Sequence, residues 1–367
     1  MKFTCERSVL LKEVAIAQEI ISSKNAISIL SNIYIEADND TLSIKATDLK
    51  VNFETKVPVM VIEPGHANVF GDKFLGILNS IPEGEIEFEQ SESKVSIRPT
   101  AKKVKFHLKS IASEKFPEFP VMDMENAFDI AVRDFKDMIL QTAFAVSDDE
   151  MRYYMTGVYF EKKSDKLIMV ATDGRRLAFI EKPAESSIKD FAGVIIPPKL
   201  LHILTKRSGD EGQVSLLVTD KNIFVRFGSY NLSSVLIDGN FPQYERVIPE
   251  NQEQSFLVNR LEMLDALKRV NVLLEQKSHR IFLDLSKGSL AIYSDESEIG
   301  AAKEEIHCEY DGDEVTIALN YKYIEEPFRV MDDKEICIQF TDVSRAITIK
   351  PVPERDFFHI VMPMQSS

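Results

Sequence analysis

Cysteine is scarce in this chain: Cys5, Cys308 and Cys337 are the only three among 367 residues. Their odd number and wide spacing give neither a disulfide framework nor a metal-ligand pattern, so free buried thiols in a reducing compartment are expected. Long apolar runs are also lacking. None approaches the roughly 20 residues of a membrane span, and the opening MKFTCERS has no signal-peptide core, which points to a cytoplasmic protein without membrane contact. Positive charge is short, with 44 Lys and Arg against 59 Asp and Glu and a formal net charge of −15. Hydrophobic residues, at 44%, are ample for globular cores.

Recognisable chemistry is missing too. No P-loop, dinucleotide-binding glycine pattern, nucleophile elbow or zinc spacing occurs. The six histidines (His66, His107, His202, His279, His307 and His359) are scattered, and only His307 neighbours a cysteine. Ser147-Asp148-Asp149-Glu150 has no partner carboxylates at ligand spacing and reads as a solvated loop after a helix. A hydrolase or transferase needs a convergent titratable set, and the chain offers none, so no catalytic residue, metal or cofactor is expected.

What the chain does have is repetition. The stretch Val158 to Lys182, VYFEKKSDKLIMVATDGRRLAFIEK, has relatives at Ile33 to Phe53 and at Ile281 to Gly300. Each reads as a β-hairpin, with alternating apolar residues flanking a short polar turn and a Thr/Ser-Asp pair closing the second strand. The aspartates Asp48, Asp173 and Asp295 recur at roughly 125-residue spacing, a domain-sized period. Chemistry gives an aspartate no reason to recur three times, whereas a turn aspartate bonding its own backbone has one. The openings at Phe3, Phe128 and Phe256 agree, as do the closing segments at Val69, Val194 and Val315 and the motifs FPEF at Phe116 and FPQY at Phe241. Three α+β domains follow, 1–125, 126–253 and 254–367, each with two helices packed on antiparallel sheets.

Helical periodicity puts Leu10, Val14, Ala17 and Ile21 on one stripe of a helix from Arg7 to Lys24, with Glu13 elsewhere around it. A second helix opens near Asp72, a good N-cap residue. Others are predicted from Asp134, from Pro198 to Arg207, over about Arg260 to Lys277, and from Asn320 to Met331. Pro327 should kink the last one or stop it early, because an interior proline costs roughly 3 kcal/mol.

Two surfaces stand out. The helical windows are on balance positive in an acidic chain, and a lysine falls at a corresponding place in the second helix of each repeat: Lys73, Lys199 and Lys322. That pattern predicts one less acidic, helix-built surface facing a polyanion. The other surface is apolar. Arg175, Arg176 and Leu177 follow the central hairpin, and the chain ends on Ile360 to Met364, IVMPM, which reads as a final core strand and, compatibly with that, beside Pro242 and Val247 as the wall of a groove for a partner peptide.

From MKFT through RYYMTG (Arg152 to Gly157), ATDGRRLA and DGNFPQYERVIP to the terminal VMPM, the whole chain resembles the bacterial sliding clamps, the beta subunit of the replicative DNA polymerase holoenzyme. The resemblance implies a DNA clamp fold, with two three-domain chains joined head to tail in a six-domain ring. Such a ring has no enzymatic step; it encircles duplex DNA without sequence preference and tethers the polymerase, while the clamp loader and repair polymerases use the same pocket through short linear motifs. Carried over by motif, the pocket comprises Met155, Thr172, Gly174, Arg175, Arg176, Leu177, Pro242, Arg246, Val247, Asn320, Tyr323, Ser344, Ile360, Met362, Pro363 and Met364. Arg176 and Arg246 would frame it with charge. DNA-facing residues are Lys24, Lys73, Tyr153, Tyr154, Lys199, Lys206, Arg207 and Lys322. Arg175 stands where the family often has histidine, Ser344 replaces an aliphatic residue, and Gln365-Ser366-Ser367 replaces a short basic-Leu tail. The alternative left by composition alone is a non-catalytic three-domain binding scaffold that does not involve DNA.

For the ring contact, the basic strand Lys102-Lys103-Val104-Lys105-Phe106-His107-Leu108 of the first repeat complements the acidic run Asp295, Glu296, Glu298, Glu304, Glu305 of the third. Unlike patches of this kind close a homodimer when the rotation permits. Phe106 and Leu108 would be buried against Val272 and Leu273, with Lys103 and Lys105 and the acidic Glu298 and Glu304 setting orientation.

Overall fold

A computed structural model describes residues 1–21, 28–111, 116–275, 277–298 and 300–365. Six α-helices are present among them: α1 (Arg7–Ile20), α2 (Gly71–Ser80), α3 (Val132–Thr142), α4 (Pro198–Arg207), α5 (Arg260–Val270) and α6 (Tyr321–Val330). Two compact units form, one from residues 1–133 and 199–236, the other from 134–198 and 237–367.

Unit 1 is organised on one antiparallel sheet. It runs from Phe128–Ala131 through Gln213–Val218, Asn222–Phe227 and Tyr230–Val235 into Val51–Pro58, Thr41–Thr47, Asn32–Asp38 and Gly65–Phe70. It continues through Phe106–Ile111, Lys94–Pro99, Glu85–Ser91 and Lys2–Glu6 to Met60–Glu63. Helices α1 and α2 pack together, and α1 lies on the strands Thr41–Thr47 and Val51–Pro58. Its buried stripe is Leu10, Val14, Ala17 and Ile20, joined by Ile16 and, against expectation, Glu13. The Tyr230 hydroxyl donates to Glu13 Oε1 at 3.0 Å, a partner the sequence period does not reveal, and burial raises the Glu13 carboxyl above its ordinary range.

Unit 2 holds two antiparallel sheets. The larger runs Val194–Ile196, Val158–Lys163, Lys166–Thr172, Arg176–Pro183, Phe357–Val361, Ile347–Val352, Glu335–Phe340, Gln254–Asn259. The smaller runs Lys303–His307, Ser289–Ser294, Arg280–Ser286, Val315–Asn320, with α5 packed against its first two strands and against α6. Each unit therefore pairs strands of successive repeats edge to edge: Tyr230–Val235 with Val51–Pro58 in unit 1, and Arg176–Pro183 with Phe357–Val361 in unit 2. The strands of the second predicted domain are shared between the units for that reason.

The hairpins form as read, and their second strands end at Thr47, Thr172 and Ser294. Asp48 Oδ1 accepts from the Lys50 and Val51 amides at 3.0 and 2.7 Å, and Asp173 Oδ1 from the Arg175 and Arg176 amides at 2.9 and 3.0 Å. Asp295 departs from this pattern: both its oxygens take the Arg280 guanidinium, at 2.9 and 3.0 Å.

Several helix expectations need correction. Helix α1 ends at Ile20, with Ile21 already extended, earlier than the expected Lys24, which itself lies outside the described residues. Phe70, not Asp72, is the N-cap of α2; Asp72 sits in the first turn, where its charge complements the helix dipole. Helix α5 stops at Val270 and tightens into a 3₁₀ turn at Asn271–Leu273. Helix α6 runs through Pro327 to Val330. The proline lies in the last turn, where it removes one backbone bond, and its burial with Tyr321, Ile324 and Phe328 offsets that loss. Cys5 and Cys308 are buried free thiols and Cys337 is half-buried and free; burial pushes Cys5 up to about 12 and Cys308 to about 11. Among the described residues no helix is long and apolar enough to cross a membrane, and no cluster of His, Cys, Asp and Glu is arranged to hold a metal ion.

Candidate functional site

The pairing of Arg176–Pro183 with Phe357–Val361 sets Leu177 opposite Ile360 and Phe179 opposite Phe358. Because side chains alternate faces along a strand, these four share one face with Val170, which lies opposite Phe179 on the other side. Leu177, Ile360, Val170, Ile168 and Tyr244 make a buried cluster, with Tyr159, Phe179, Phe241, Ile248, Ala346 and Phe358 packed around it. Tyr244, the last residue of the FPQY motif, opens the 3₁₀ turn Tyr244–Val247. Its hydroxyl donates to Glu161 Oε1 at 2.6 Å, while Tyr159 donates to Glu161 Oε2 at 3.2 Å. Burial first, then the Glu161 charge, pushes Tyr159 up to about 12, and burial drives Tyr244 higher in the same direction, so both remain neutral donors. Phe241 stacks on Tyr159 at 4.7 Å and Phe358 on Phe179 at 4.8 Å. Val247 on that turn and Met362 just past the last strand are apolar side chains left 56% and 44% exposed.

Arg176 has a different role from the predicted one. Its Nε donates to Asp173 Oδ2 at 3.1 Å and its Nη2 to the Phe144 carbonyl at 2.7 Å, Nη1 pairs with Glu326, and the guanidinium lies 4.6 Å from the Tyr323 ring. With its side chain only 10% exposed, it clamps the hairpin to α6 instead of lending charge to the groove. Arg175 and Arg246 are exposed. Thr172 donates to the Arg176 carbonyl at 2.5 Å and accepts from the Gly174 amide at 3.0 Å; Gly174 has φ +85°, a conformation that favours glycine. Asn320 caps α6 by accepting from the Lys322 amide at 2.9 Å, Ser344 donates to Asp342 at 2.6 Å, Met155 is buried and Pro242 half-buried. The terminal segment is held: the Met362 amide donates to the Arg175 carbonyl and the Met364 amide to the Ala318 carbonyl, both at 2.8 Å, with Pro363 half-buried between them. Sequence reasoning missed Ile168, Val170, Tyr244, Phe179 and Phe358, although the two-residue alternation around Leu177 and Ile360 carried the signal.

The predicted polyanion-facing residues differ in how free they are. In unit 1, Lys199 Nζ bonds Asp48 at 2.5 Å and the Ile20 carbonyl at 2.6 Å, and Lys206 and Arg207 both reach Glu19, at 3.4 and 3.2 Å. Lys73 pairs with Asp72 at 3.1 Å and is the third residue of α2, whereas Lys199 and Lys322 are second in α4 and α6. In unit 2, Lys322 is exposed, Tyr153 is 51% exposed, and Tyr154 is half-buried against it, edge to face at 5.7 Å. Lys24 lies outside the described residues.

At the predicted self-contact, the strand begins at Phe106, and Lys103 and Lys105 precede it in an exposed turn. Phe106 and Leu108 are half-buried on one side of the strand. Residues 106–109 pair with Lys94–Ile97, whereas Gly65–Phe70 reaches this strand only at Ser110 and Ile111, so among the described residues no strand pairs with the second edge of 106–109. The strand Lys303–His307 ends the small sheet of unit 2, and among the described residues no strand pairs with its outer edge. Val272 is 76% exposed and Leu273 half-buried. The acidic run is less free than its sequence suggests: Arg280 holds Asp295, Arg269 Nε reaches Glu304 at 2.7 Å, and Ser289 donates to Glu305 at 2.5 Å, while Glu298 is exposed.

The models of the DNA polymerase III beta subunit match the chain throughout: the N-terminal domain over residues 1–120, the central domain over 129–243 and the C-terminal domain over 245–365. The beta sliding clamp of Treponema pallidum is 45% identical over the full length of both chains, and that of Escherichia coli K12 is 28% identical over the full length of both. Among solved structures, the DNA polymerase sliding clamp of Bacillus subtilis superposes with a TM-score of 0.92 at 27% identity, covering 100% of both chains. A Pseudomonas aeruginosa sliding clamp bound to griselimycin gives 0.92 at 28% identity, covering 100% of this chain and 99% of that one.

Proposed function

The chain belongs to the DNA polymerase III beta subunit family, the non-catalytic sliding clamps of DNA replication with a three-domain clamp fold, and from that premise we propose how its surfaces divide the work. Two copies close head to tail around duplex DNA through the open edges of Phe106–Ile111 and Lys303–His307, with Phe106, Leu108, Val272 and Leu273 as apolar anchors. Such edges favour strand addition, and the charged turn beside them sets orientation. DNA is held by topology more than by affinity, since Lys199, Lys206 and Arg207 are partly neutralised by their own carboxylates and Lys322 contributes the freer charge. The three predicted domains, 1–125, 126–253 and 254–367, are the repeating units of that ring.

The polymerase and other replication and repair proteins are tethered at the Leu177–Ile360 groove. The observation that carries this reading is a buried apolar floor with two exposed apolar side chains, Val247 and Met362, at its margin. An extended peptide with one or two bulky apolar side chains completes that surface. For one short motif a micromolar affinity is expected, about −8 kcal/mol, and truncating a central anchor costs about 2 kcal/mol, or roughly thirtyfold. Fluorescence anisotropy with a labelled Gln-x-x-Leu-Phe peptide tests this. Leu177→Ala should lose about thirtyfold, and deletion of Pro363–Ser367 should abolish binding while leaving the oligomer intact; unchanged affinity in both variants refutes the assignment.

A further inference from the structure

The two units carry strand pairs built on one plan. In unit 2, Val170 faces Phe179 and Thr172 faces Leu177, and across the next strand Leu177 and Phe179 face Ile360 and Phe358. In unit 1, Lys45 faces Glu54 and Thr47 faces Asn52, and across the next strand Asn52 and Glu54 face Ser233 and Asn231. The walls correspond as well. Phe241 lies on Tyr159 in unit 2, and Phe116, from the matching Phe-Pro motif, lies 5.4 Å from Tyr34 in unit 1. Tyr34 and Phe116 together line a cleft of about 640 Å³ in unit 1, whose other lining is part apolar, with Phe119, Pro120 and Met124, and part polar, with Lys45, Asn52, Glu54, Asn231 and Ser233. The aromatic walls are kept and the floor is inverted in polarity: Val170, Leu177, Phe179 and Ile360 in one groove stand where Lys45, Asn52, Glu54 and Ser233 stand in the other.

The inverted floor is internally satisfied. Lys45 Nζ lies 3.5 Å from Glu54 and sits over the rings of Tyr34 and Phe119 at 5.9 and 5.8 Å. Asn52 donates to Ser233 Oγ at 3.0 Å and accepts from Thr47 Oγ1 at 2.6 Å. We propose that this polarity exchange is the specificity device that confines apolar-anchored peptides to one groove per chain. A leucine or phenylalanine anchor entering the unit 1 cleft strips water from an ion pair and from an amide–hydroxyl network and gives neither a new partner. The same anchor in unit 2 meets a floor of Val170, Leu177, Phe179 and Ile360, so discrimination comes from what the wrong site loses as much as from what the right site gains.

This inference rests on the peptide reading of the Leu177 groove, and isothermal titration of the full-length chain with the Gln-x-x-Leu-Phe peptide separates the two. The wild type should bind one peptide per chain. The variant Lys45→Val, Asn52→Leu, Glu54→Phe, Ser233→Ile should bind two, and adding Leu177→Ala to it should leave the new site in place. The milder pair Asn52→Leu with Ser233→Ile, which leaves the ion pair, decides the matter if the fourfold variant fails to fold; it should show a second site about tenfold or more weaker than the first. A folded variant, judged by an unchanged melting curve, that still binds one peptide per chain overturns the proposal, as does a wild type with two equal sites. A wild type that binds no peptide overturns instead the reading of the Leu177 groove.

Discussion

Histidine 359 gives the fold a calculable sensitivity to acid. It lies on the strand that carries Ile360, is 1% exposed, and packs between the rings of Phe144 and Phe357 at 5.4 and 5.8 Å. Gln141 donates its amide to the Val330 carbonyl at 3.2 Å, which turns its oxygen toward His359 Nε2, also at 3.2 Å. Nε2 is therefore the protonated nitrogen of a neutral ring, and the buried Nδ1 finds no hydrogen-bond partner among the described residues. Burial, with the Arg176 cation as a smaller cause, depresses the group from 6.5 to about 3. Below pH 6.5 the unfolded chain binds a proton that the folded chain refuses, so stability falls as the pH falls, by about 1.4 kcal/mol per unit until the folded-state value is reached. Between pH 7.5 and 5.5 the loss from this one residue is about 1.4 kcal/mol. For a unit of this size that corresponds to roughly 3–6 °C in melting temperature. Urea unfolding of the wild type and His359→Gln at both pH values isolates the effect, because other titrating groups cancel in the difference. Equal pH losses in the two proteins would refute the reasoning.

Three further outcomes follow from the same geometry. Arg176→Met strands Asp173 and Glu326 without their cation and should destabilise unit 2 by about 3 kcal/mol in denaturant unfolding; a loss under about 1 kcal/mol means the clamp is not needed. Leu108→Ala with Leu273→Ala should sediment as monomers at micromolar concentration, and persistent dimers would put the junction elsewhere. Lys322→Glu should weaken binding to linear duplex and lower its salt slope by about 0.9 per lost phosphate contact, more than Lys199→Glu, whose ammonium Asp48 already neutralises; equal effects contradict that ranking.

Much of the fold was legible because the repeat is written in strand alternation and turn chemistry, both local signals. The hairpin ends at Thr47, Thr172 and Ser294 follow directly from the Thr/Ser-Asp pairs. Helix ends were unevenly legible: α4 and α6 end where the sequence places them, whereas α5 stops at Val270, well short of Lys277, and buried Pro327 is tolerated in the last turn of α6. In the groove, Leu177 and Ile360 were readable as apolar residues beside turn motifs. Their companions Val170 and Phe358 depend on strand register across two repeats, which no single segment encodes. Charge was the least reliable guide. Arg176, Lys199 and Glu304 look like free surface charges in the sequence, but each has an ion-pair partner that is distant in the chain.

The central claim is that this chain holds DNA by encircling it. Loaded onto a nicked circular duplex with a clamp loader and passed through a sizing column at high salt, the protein should stay with the circle and run off once the circle is cut to a linear form. Release at the same rate from circle and linear DNA, governed by salt alone, would contradict it.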